Sequence, residues 1–358
     1  MNESDTSLPP SYYEPQPVTH NPGRHALFLV LSITDAPDAH EVIRGACGDF
    51  SSILRSIRVR ETQKSLQCVI GFGSNAWDVL FGSPRPADLH PFKELRGDKH
   101  TAPSTPGDIF FHIRGDSMDV CFEFAKQMMG VYGDAVKIED EVHAFRYFDG
   151  RSMVGFVDGT ENPIDLEALE SAVIGDEDPE FKGGSYAIPQ KYIHDMTAWD
   201  DLPTTEQEKV IGRHKYDDIE LDDETKPANA HNAVTNIEDD EGNELKIVRA
   251  NLPFGKPGSG EFGTYFIGYA RYVSTTEKML ENMFIGDPVG NYDRLLDFST
   301  AVTGGLFFIP STGLLASLAE REPQAIGGTE EVQNVESPTS EKPRKNSDGS
   351  FNIGSLKN

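Results

Sequence analysis

The pattern of apolar and polar positions predicts regular secondary structure from about residue 24 to residue 320. In the first half, a near-continuous apolar run predicts a strand at residues 25–34, and further strands are predicted at 66–72, 108–114 and 136–147. Apolar residues at helical spacing predict helices at residues 35–54 and 119–129. The resulting order, strand-helix-strand-strand-helix-strand, is that of a ferredoxin-like α+β unit.

The second half of the folded part repeats this pattern more loosely. Strands are predicted at residues 184–194, 263–270 and 305–310, and helices at 204–211, 276–284 and 291–302. We therefore expect an α+β protein of two tandem ferredoxin-like halves, residues 24–150 and 151–320, whose antiparallel sheets pack together.

The two ends of the chain have a different composition. Residues 1–23 are acidic and Pro-rich, without the basic and apolar regions of a secretory signal, and predict a flexible arm. Residues 321–347 contain almost no large apolar side chains and predict a disordered linker. Apolar residues return in residues 348–358, and a short apolar peptide at the end of a tether is suited to a groove on another protein. Folding of this segment back onto its own domain is the alternative.

The overall charge limits the classes of partner. The 358 residues include 32 basic and 59 acidic side chains and carry a net charge of −27, which disfavours nucleic acid and anionic membranes as partners. No apolar run reaches the ~20 residues of a membrane span. Cys47, Cys68 and Cys121 are widely separated in apolar stretches, which indicates buried thiols in a reducing compartment. We therefore expect a cytoplasmic protein.

Two segments carry candidate chemistry. In the first, Asp158 lies on a tight turn between Gly155 and Gly159, where an acid with apolar neighbours suits proton transfer in a dry cleft. An Asp-Gly turn that caps the following helix is the alternative interpretation.

The second segment contains His231 among small residues, which allow a flat ligand to approach the imidazole. No second His or Cys lies at zinc spacing, so a metal, if present, would belong to a cofactor. Arg249 and Asn251 alternate along an extended segment and point the same way, towards one small polar ligand. A surface or core histidine, and a structural ion pair of Arg249, are the alternatives.

These segments resemble one known family. Residues 155–159, Gly-Phe-Val-Asp-Gly, match the GxxDG motif of the dye-decolourising peroxidases, and the stretches around His231, Arg249, 260–266 and 291–294 are similar to its bacterial class B branch. The resemblance covers roughly residues 25–318. It implies a tandem ferredoxin-like fold with one haem b per chain, bound in the C-terminal half.

The resemblance also implies roles for individual residues. His231 would be the axial ligand of the haem iron, and Asp293 would accept a hydrogen bond from its far nitrogen, with Asp297 as the alternative. Asp158 and Arg249 would cleave peroxide on the opposite face, and Asn251 would orient peroxide or water. Two further residues are expected to contact the cofactor: Phe266 and Arg213, the latter through a propionate.

The implied activity is reduction of hydrogen peroxide with one-electron oxidation of dyes, phenolic and other aromatic compounds, or Mn²⁺. Trp199, Tyr192 and Tyr269 are candidate electron carriers, although buried aromatic residues are usually core. The carboxylates proposed for Mn²⁺, with a solvated acidic face as the alternative, are Glu161, Glu220 and Glu244. Two other functions remain open: a haem-handling protein that stores haem or releases its iron, and a non-catalytic scaffold.

The C-terminal peptide resembles a second known element. Residues 348–357, with their Ile-Gly-Ser-Leu pattern, are similar to the peptides that load peroxidases of this type into encapsulin shells. The resemblance implies an encapsulin partner and a location inside an encapsulin nanocompartment in the cytoplasm. Members of this branch often form dimers or higher rings, so we also expect a homo-oligomer.

Overall fold

The computed structural model of the chain describes residues 8–323. Most of the predicted linker and the whole predicted cargo peptide, residues 348–358, lie outside the described residues. Between residues 8 and 323, no helix has both the length and the apolar character needed to cross a membrane.

The N-terminal half has the strand and helix order of a ferredoxin-like unit. Its strands are β1 (His25–Ile33), β2 (Leu66–Gly73), the short pair β3 (Leu95–Arg96) and β4 (Thr101–Ala102), β5 (Ile109–Gly115) and β6 (Val136–Phe145). Its helices are α1 (Ala39–Arg60), α2 (Ser74–Leu80) and α3 (Met118–Tyr132). In the order β2-β5-β1-β6, which is antiparallel throughout, β1 lies between β5 and β6, the third and fourth of the four long strands.

The C-terminal half repeats this arrangement with added short elements. Its helices are α4 (Asp165–Ala172), α5 (Met196–Asp200), α6 (Thr204–Ile211), α7 (His231–Thr235), α8 (Val273–Phe284) and α9 (Thr312–Ser317). Its strands are β7 (Ser185–His194), β8 (Ile237–Glu238), β9 (Glu244–Leu245), β10 (Val248–Arg249), β11 (Leu252–Lys256), β12 (Glu261–Ala270), β13 (Ser299–Ala301) and β14 (Phe307–Ile309). The order β10-β12-β7-β14 again places the first long strand next to the last one.

The two halves are joined by hydrogen bonds and by packing. Strand β14 pairs with both β7 and β2, so the strands of the two halves form one ten-stranded sheet. The sheet faces also pack on each other, since the ring of Phe28 stacks on that of Tyr265 at a centroid distance of 4.0 Å. The prediction of tandem ferredoxin-like halves with packed antiparallel sheets is confirmed, and β14 adds a continuous hydrogen-bonded connection.

Burial on both faces explains why β1 is apolar without interruption. Leu27, Leu29 and Leu31 belong to the core beneath α1 and α3. Phe28 and Val30 point the other way, into the core shared with the strands of the C-terminal half. Because successive residues of a strand face opposite sides, a strand covered on both sides needs apolar residues at every position.

The helix predicted at residues 291–302 is wrong. A short 3-10 turn spans Arg294–Asp297, and the chain then forms β13, which pairs with β7 through the register Ser299↔His194. The carboxylate of Asp293 caps the turn by accepting a hydrogen bond from the Leu295 N–H at 2.9 Å. Strand pairing with a distant part of the chain therefore overrides the local helical spacing.

The expectation of a loosely packed N-terminal arm is wrong for its described residues, 8–23. A 3-10 turn spans Pro10–Tyr13, and Gln16 and Val18 are buried. The Gln16 amide donates to the carbonyls of Ile70 and Pro310 and accepts from the Ile70 N–H, at 2.8 to 3.0 Å. The arm satisfies backbone groups of β2 and of the segment after β14, which composition alone does not reveal.

Candidate active site

One cavity in the C-terminal half brings the predicted site residues together. Six of them lie in its wall: Asp158, Arg213, His231, Arg249, Asn251 and Phe266. The seventh, Asp293, lies behind His231 and is completely buried. Residues that are far apart in sequence thus converge on one space, as a binding site requires.

The imidazole of His231 is oriented by a buried carboxylate. Its Nδ1 donates to Oδ2 of Asp293 at 2.6 Å, while Oδ1 of the same carboxylate accepts from the Leu295 N–H. Asp297, the other candidate partner, instead contacts His100 at 3.1 Å and Tyr292 at 3.2 Å. Because Nδ1 is engaged, Nε2 is the nitrogen that is available to a ligand in the cavity.

The local fold fixes the positions of both residues. His231 is the first residue of α7, and its carbonyl accepts the Thr235 hydroxyl at 2.8 Å. The Asp293 N–H donates to the carbonyl of Met283 near the end of α8, and the Arg294 N–H donates to the carbonyl of Asn229 just before α7. Backbone hydrogen bonds therefore hold the histidine and its carboxylate together from both sides.

Asp158 lies in the cavity wall, on the turn that its sequence predicts. Gly155 and Gly159, with φ of 89° and 91°, adopt the left-handed conformation that glycine tolerates. The Asn251 amide reaches Oδ1 of Asp158 at 3.4 Å, and Oδ1 of Asn251 accepts the Ile267 N–H at 3.1 Å. Asn251 is thereby anchored to β12 and turned towards the carboxylate.

Arg249 presents a cation to the same cavity. Within residues 8–323, its guanidinium forms no ion pair, so the structure does not favour a structural ion pair. Its backbone is held by the side chain of Asn162, which accepts the Arg249 N–H at 2.9 Å and donates to the Arg249 carbonyl at 2.6 Å. Sequence analysis gave this residue no role in the site. Asn162 thus joins the Asp158 turn to β10.

Arg213 lies at the acidic rim of the cavity. It pairs with Glu161 at 2.7 Å and with Asp218 at 3.1 Å, and the left-handed Gly212 that precedes it ends α6. A propionate would meet a guanidinium that is already positioned, in competition with these carboxylates.

The three carboxylates predicted to bind Mn²⁺ line the cavity but are engaged separately. Glu161 pairs with Arg213, Glu220 with Lys226 at 2.7 Å, and Glu244 with Lys246 at 3.3 Å. In the described part of the chain, no group of three or more His, Cys, Asp or Glu side chains is arranged to hold a metal ion. The predicted three-carboxylate site is not formed.

The remaining wall is largely apolar and suits a flat hydrophobic ligand. The apolar lining includes Val154, Phe156, Ile211, Ile247, Phe266, Met279, Met283, Leu295 and Leu296. The same cavity wall holds a histidine with one available nitrogen and a cluster of acid, cation and amide. This set of side chains fits haem: Nε2 of His231 would bind the iron, and the apolar wall would contact the porphyrin.

The candidate electron carriers are all buried. Trp199 is 1% exposed beneath the Asp158 turn, and its indole N–H donates to the carbonyl of Val154 at 2.9 Å. Tyr192 lines the cavity and donates to Gln190. Tyr269 lies in the core between the sheets and contacts His112 at 2.9 Å. Electron transfer through any of them stays a prediction.

Sequence analysis missed His194, a second histidine in the cavity wall. Its ring nitrogens contact the hydroxyls of Ser299 at 2.7 Å and Thr264 at 2.8 Å. Burial lowers the pKa of His194 to about 4, so the ring is neutral at neutral pH. Its position at the end of β7 gave no sequence signal, because its partners belong to β12 and β13.

Comparisons with known proteins show the family of the chain. Residues 15–146 match the family model described as Dyp-type peroxidase, N-terminal, and residues 149–313 match Dyp-type peroxidase, C-terminal. The chain is 53% identical over 344 residues to a dye-decolorizing peroxidase of Mycolicibacterium paratuberculosis, covering 96% of this chain and 93% of that protein.

Two solved structures extend the comparison. A variant of DypB from Rhodococcus jostii RHA1 in complex with heme has a TM-score of 0.83 and 51% identity, covering 85% of this chain and 98% of that chain. The encapsulated DyP-type peroxidase from Mycobacterium smegmatis has a TM-score of 0.83 and 55% identity, covering 85% of this chain and 97% of that chain. This chain therefore belongs to the Dyp-type peroxidase family and is an oxidoreductase that uses hydrogen peroxide, with haem as its cofactor.

Proposed function

We propose that this enzyme reduces hydrogen peroxide and oxidises dyes and small phenolic or other aromatic compounds by one-electron steps, with haem held by His231. The observation that carries the proposal is the lining of one cavity, which contains a carboxylate-bound histidine together with Asp158, Arg249 and Asn251. Mn²⁺ is kept as a further candidate reductant, with support from the similarity to a DypB variant in complex with manganese, although the three rim carboxylates each pair with a different cation.

On the histidine side, the protein sets the position and the basicity of the axial ligand. Bound haem supplies the redox chemistry that cleaves the peroxide O–O bond and accepts single electrons from the substrate. Asp293 fixes the Nδ1–H tautomer of His231 through the 2.6 Å hydrogen bond. The adjacent negative charge makes the imidazole a stronger electron donor at Nε2. Phe266 and its apolar neighbours exclude water from the haem faces.

On the opposite side, Asp158 moves the proton that peroxide must lose. The carboxylate accepts a proton from one oxygen of peroxide, directly or through one water, and returns it to the other oxygen, which departs. Arg249 stabilises the negative charge that develops on that oxygen, and the lack of an ion pair leaves its guanidinium available for the purpose. Asn251 holds Asp158 in place through its amide.

Substitution of the two distal groups tests this proposal. In Asp158→Asn and Arg249→Leu, we expect kcat/KM for hydrogen peroxide to fall by about 10²–10⁴-fold in at least one variant, while haem binding is retained. Asp149→Asn, at an exposed residue outside the cavity, is the matched control and keeps full activity. Unchanged peroxide kinetics in both distal variants would contradict the proposed roles.

The same assay separates the peroxidase from a haem-handling protein. Peroxide-dependent oxidation of a dye and release of protoporphyrin are measured side by side on the haem-loaded enzyme. We expect many turnovers of dye per haem and no release of protoporphyrin. Release of the porphyrin at a rate matching or exceeding dye turnover would favour iron release as the function.

We further propose that the enzyme is carried inside an encapsulin shell in the cytoplasm by residues 348–357. Support comes from the sequence of this peptide and from the similarity to the encapsulated peroxidase of Mycobacterium smegmatis. Co-expression with the shell protein, with and without the residues after Ser347, tests packaging. We expect the truncated enzyme to keep its specific activity and to lose co-purification with the shell. Packaging that survives the truncation would refute the proposal.

A further inference from the structure

A second cavity lies in the N-terminal half, away from the haem site. Its wall combines residues before β1, the end of β5 and the segments after β6 and before β2: His20, Asn21, Gly23, Arg24, Ser65, Gln67, Arg114, Gly115, Asp116 and Arg146. It shares no lining residue with the haem cavity. Three arginines in one wall are notable in a chain whose net charge is −27.

Arg114 is a buried cation whose charge is not neutralised by a neighbour. The residue is 1% exposed on β5, and its Nη atoms donate to the carbonyls of His20, at 3.0 Å, and Pro17. Its Nε has no hydrogen-bond partner among the described residues. Carbonyl oxygens satisfy donors but do not neutralise a charge, and an unpaired buried cation is costly.

The two other arginines reinforce the positive charge of the cavity. Arg24 and Arg146 are exposed and, like Arg114, form no ion pair within residues 8–323. The one carboxylate in the wall, Asp116, accepts the Ser65 N–H at 2.8 Å, and this hydrogen bond lowers its pKa. With three guanidinium groups and one carboxylate, the wall keeps a net positive charge.

We propose that this cavity is a binding site for a small oxyanion, a phosphate or carboxylate group. A bound anion would supply the counter-charge that Arg114 lacks. The guanidinium group is suited to this ligand because its N–H donors match the oxygens of phosphate and carboxylate.

Thermal unfolding of the haem-loaded enzyme tests this site. The melting temperature is measured in sodium phosphate, sodium acetate and sodium chloride at equal pH and ionic strength. We expect phosphate, acetate or both to raise it above chloride by about 2 °C or more, saturably with concentration. A shift with phosphate alone identifies a phosphate site, and a shift with both identifies a general oxyanion site.

Matched variants separate a specific site from the general stabilising effect of excluded salts. The double variant Arg24→Gln/Arg146→Gln removes the two exposed charges of the cavity. It should lose at least half of the rise in melting temperature that the oxyanion causes. Arg55→Gln, an exposed position on α1 outside the cavity, should keep it. Dye oxidation should be unchanged in all variants, so the result is independent of the haem chemistry. Equal melting temperatures in all three salts, or a full shift in the double variant, would overturn the proposal.

Discussion

The hydrogen bond between His231 and Asp293 is the contact through which we expect the protein to influence the haem most directly. Asp293 is 0% exposed, so its negative charge acts on the imidazole with little screening by water. Its second oxygen is occupied by the Leu295 N–H, which keeps the carboxylate from rotating away. We therefore expect this carboxylate to act on the cofactor through His231, as a positioning residue.

We predict that Asp293→Asn keeps haem but lowers peroxide activity by roughly 10–100-fold. The amide keeps a hydrogen bond to Nδ1 and removes the charge, so the imidazole donates less electron density and the reduction potential of the haem rises. A spectroelectrochemical titration measures the potential. Asp297→Asn, at the carboxylate that contacts His100 and Tyr292, is the control and should leave the potential unchanged. An unchanged potential in Asp293→Asn would refute the assigned role.

At the scale of elements, the site depends on how the Asp158 turn is fastened to β10. The side chain of Asn162 forms two hydrogen bonds with the backbone of Arg249, 87 residues away in sequence. The acid and the cation are therefore placed on one rigid connection. Neither the turn nor the two-residue strand β10 could alone fix the position of Asp158 relative to Arg249.

We predict that Asn162→Ala destabilises the protein by about 1–3 kcal/mol, because two backbone groups of Arg249 lose their partner. Peroxide turnover should fall as well, since the backbone of Arg249 is no longer held in its position in the cavity wall. Urea unfolding and steady-state kinetics measure the two effects. Asn243→Ala, in the exposed turn between β8 and β9, is the control for loss of an amide. Equal losses of stability and of peroxide turnover in the two variants would show that the hydrogen bonds between Asn162 and Arg249 are unimportant.

The elements that sequence analysis predicted well are those with a strong local signal. Strand β1 was evident because both of its faces are buried, and the Asp158 turn because two glycines flank the acid. The role of Asn162, the position of His194 in the cavity and the formation of β13 depend on contacts with distant strands. No property of the local sequence carries that information.

At the scale of the whole molecule, folding buries two neutral histidines. His194 contacts two hydroxyls in the wall of the haem cavity, and His112 lies between the sheets, where burial lowers its pKa well below the usual value. The unfolded chain binds protons at both rings near pH 6.5, whereas the native protein does so only at lower pH. The stability that these two neutral rings contribute is therefore fully present above pH 6.5 and is lost as the pH falls below that value.

We predict that His194 alone accounts for about 2 kcal/mol of lost stability between pH 7 and pH 5, given its pKa of about 4. Urea unfolding at the two pH values measures this loss. In His194→Asn the difference between the two pH values should shrink by that amount, while His40→Asn, at an exposed position, should keep it. A pH dependence that is the same in His194→Asn and in the unsubstituted protein would refute the prediction.

The central claim is that His231 holds the haem of this peroxidase. The most direct test is the absorption spectrum of the haem-loaded protein and of His231→Ala, before and after one equivalent of hydrogen peroxide. We predict a ferric Soret band that shifts on addition of peroxide in the unsubstituted protein, and a band that is lost or altered and no longer shows this shift in the variant. Identical spectra and identical responses to peroxide in the two proteins would contradict the claim.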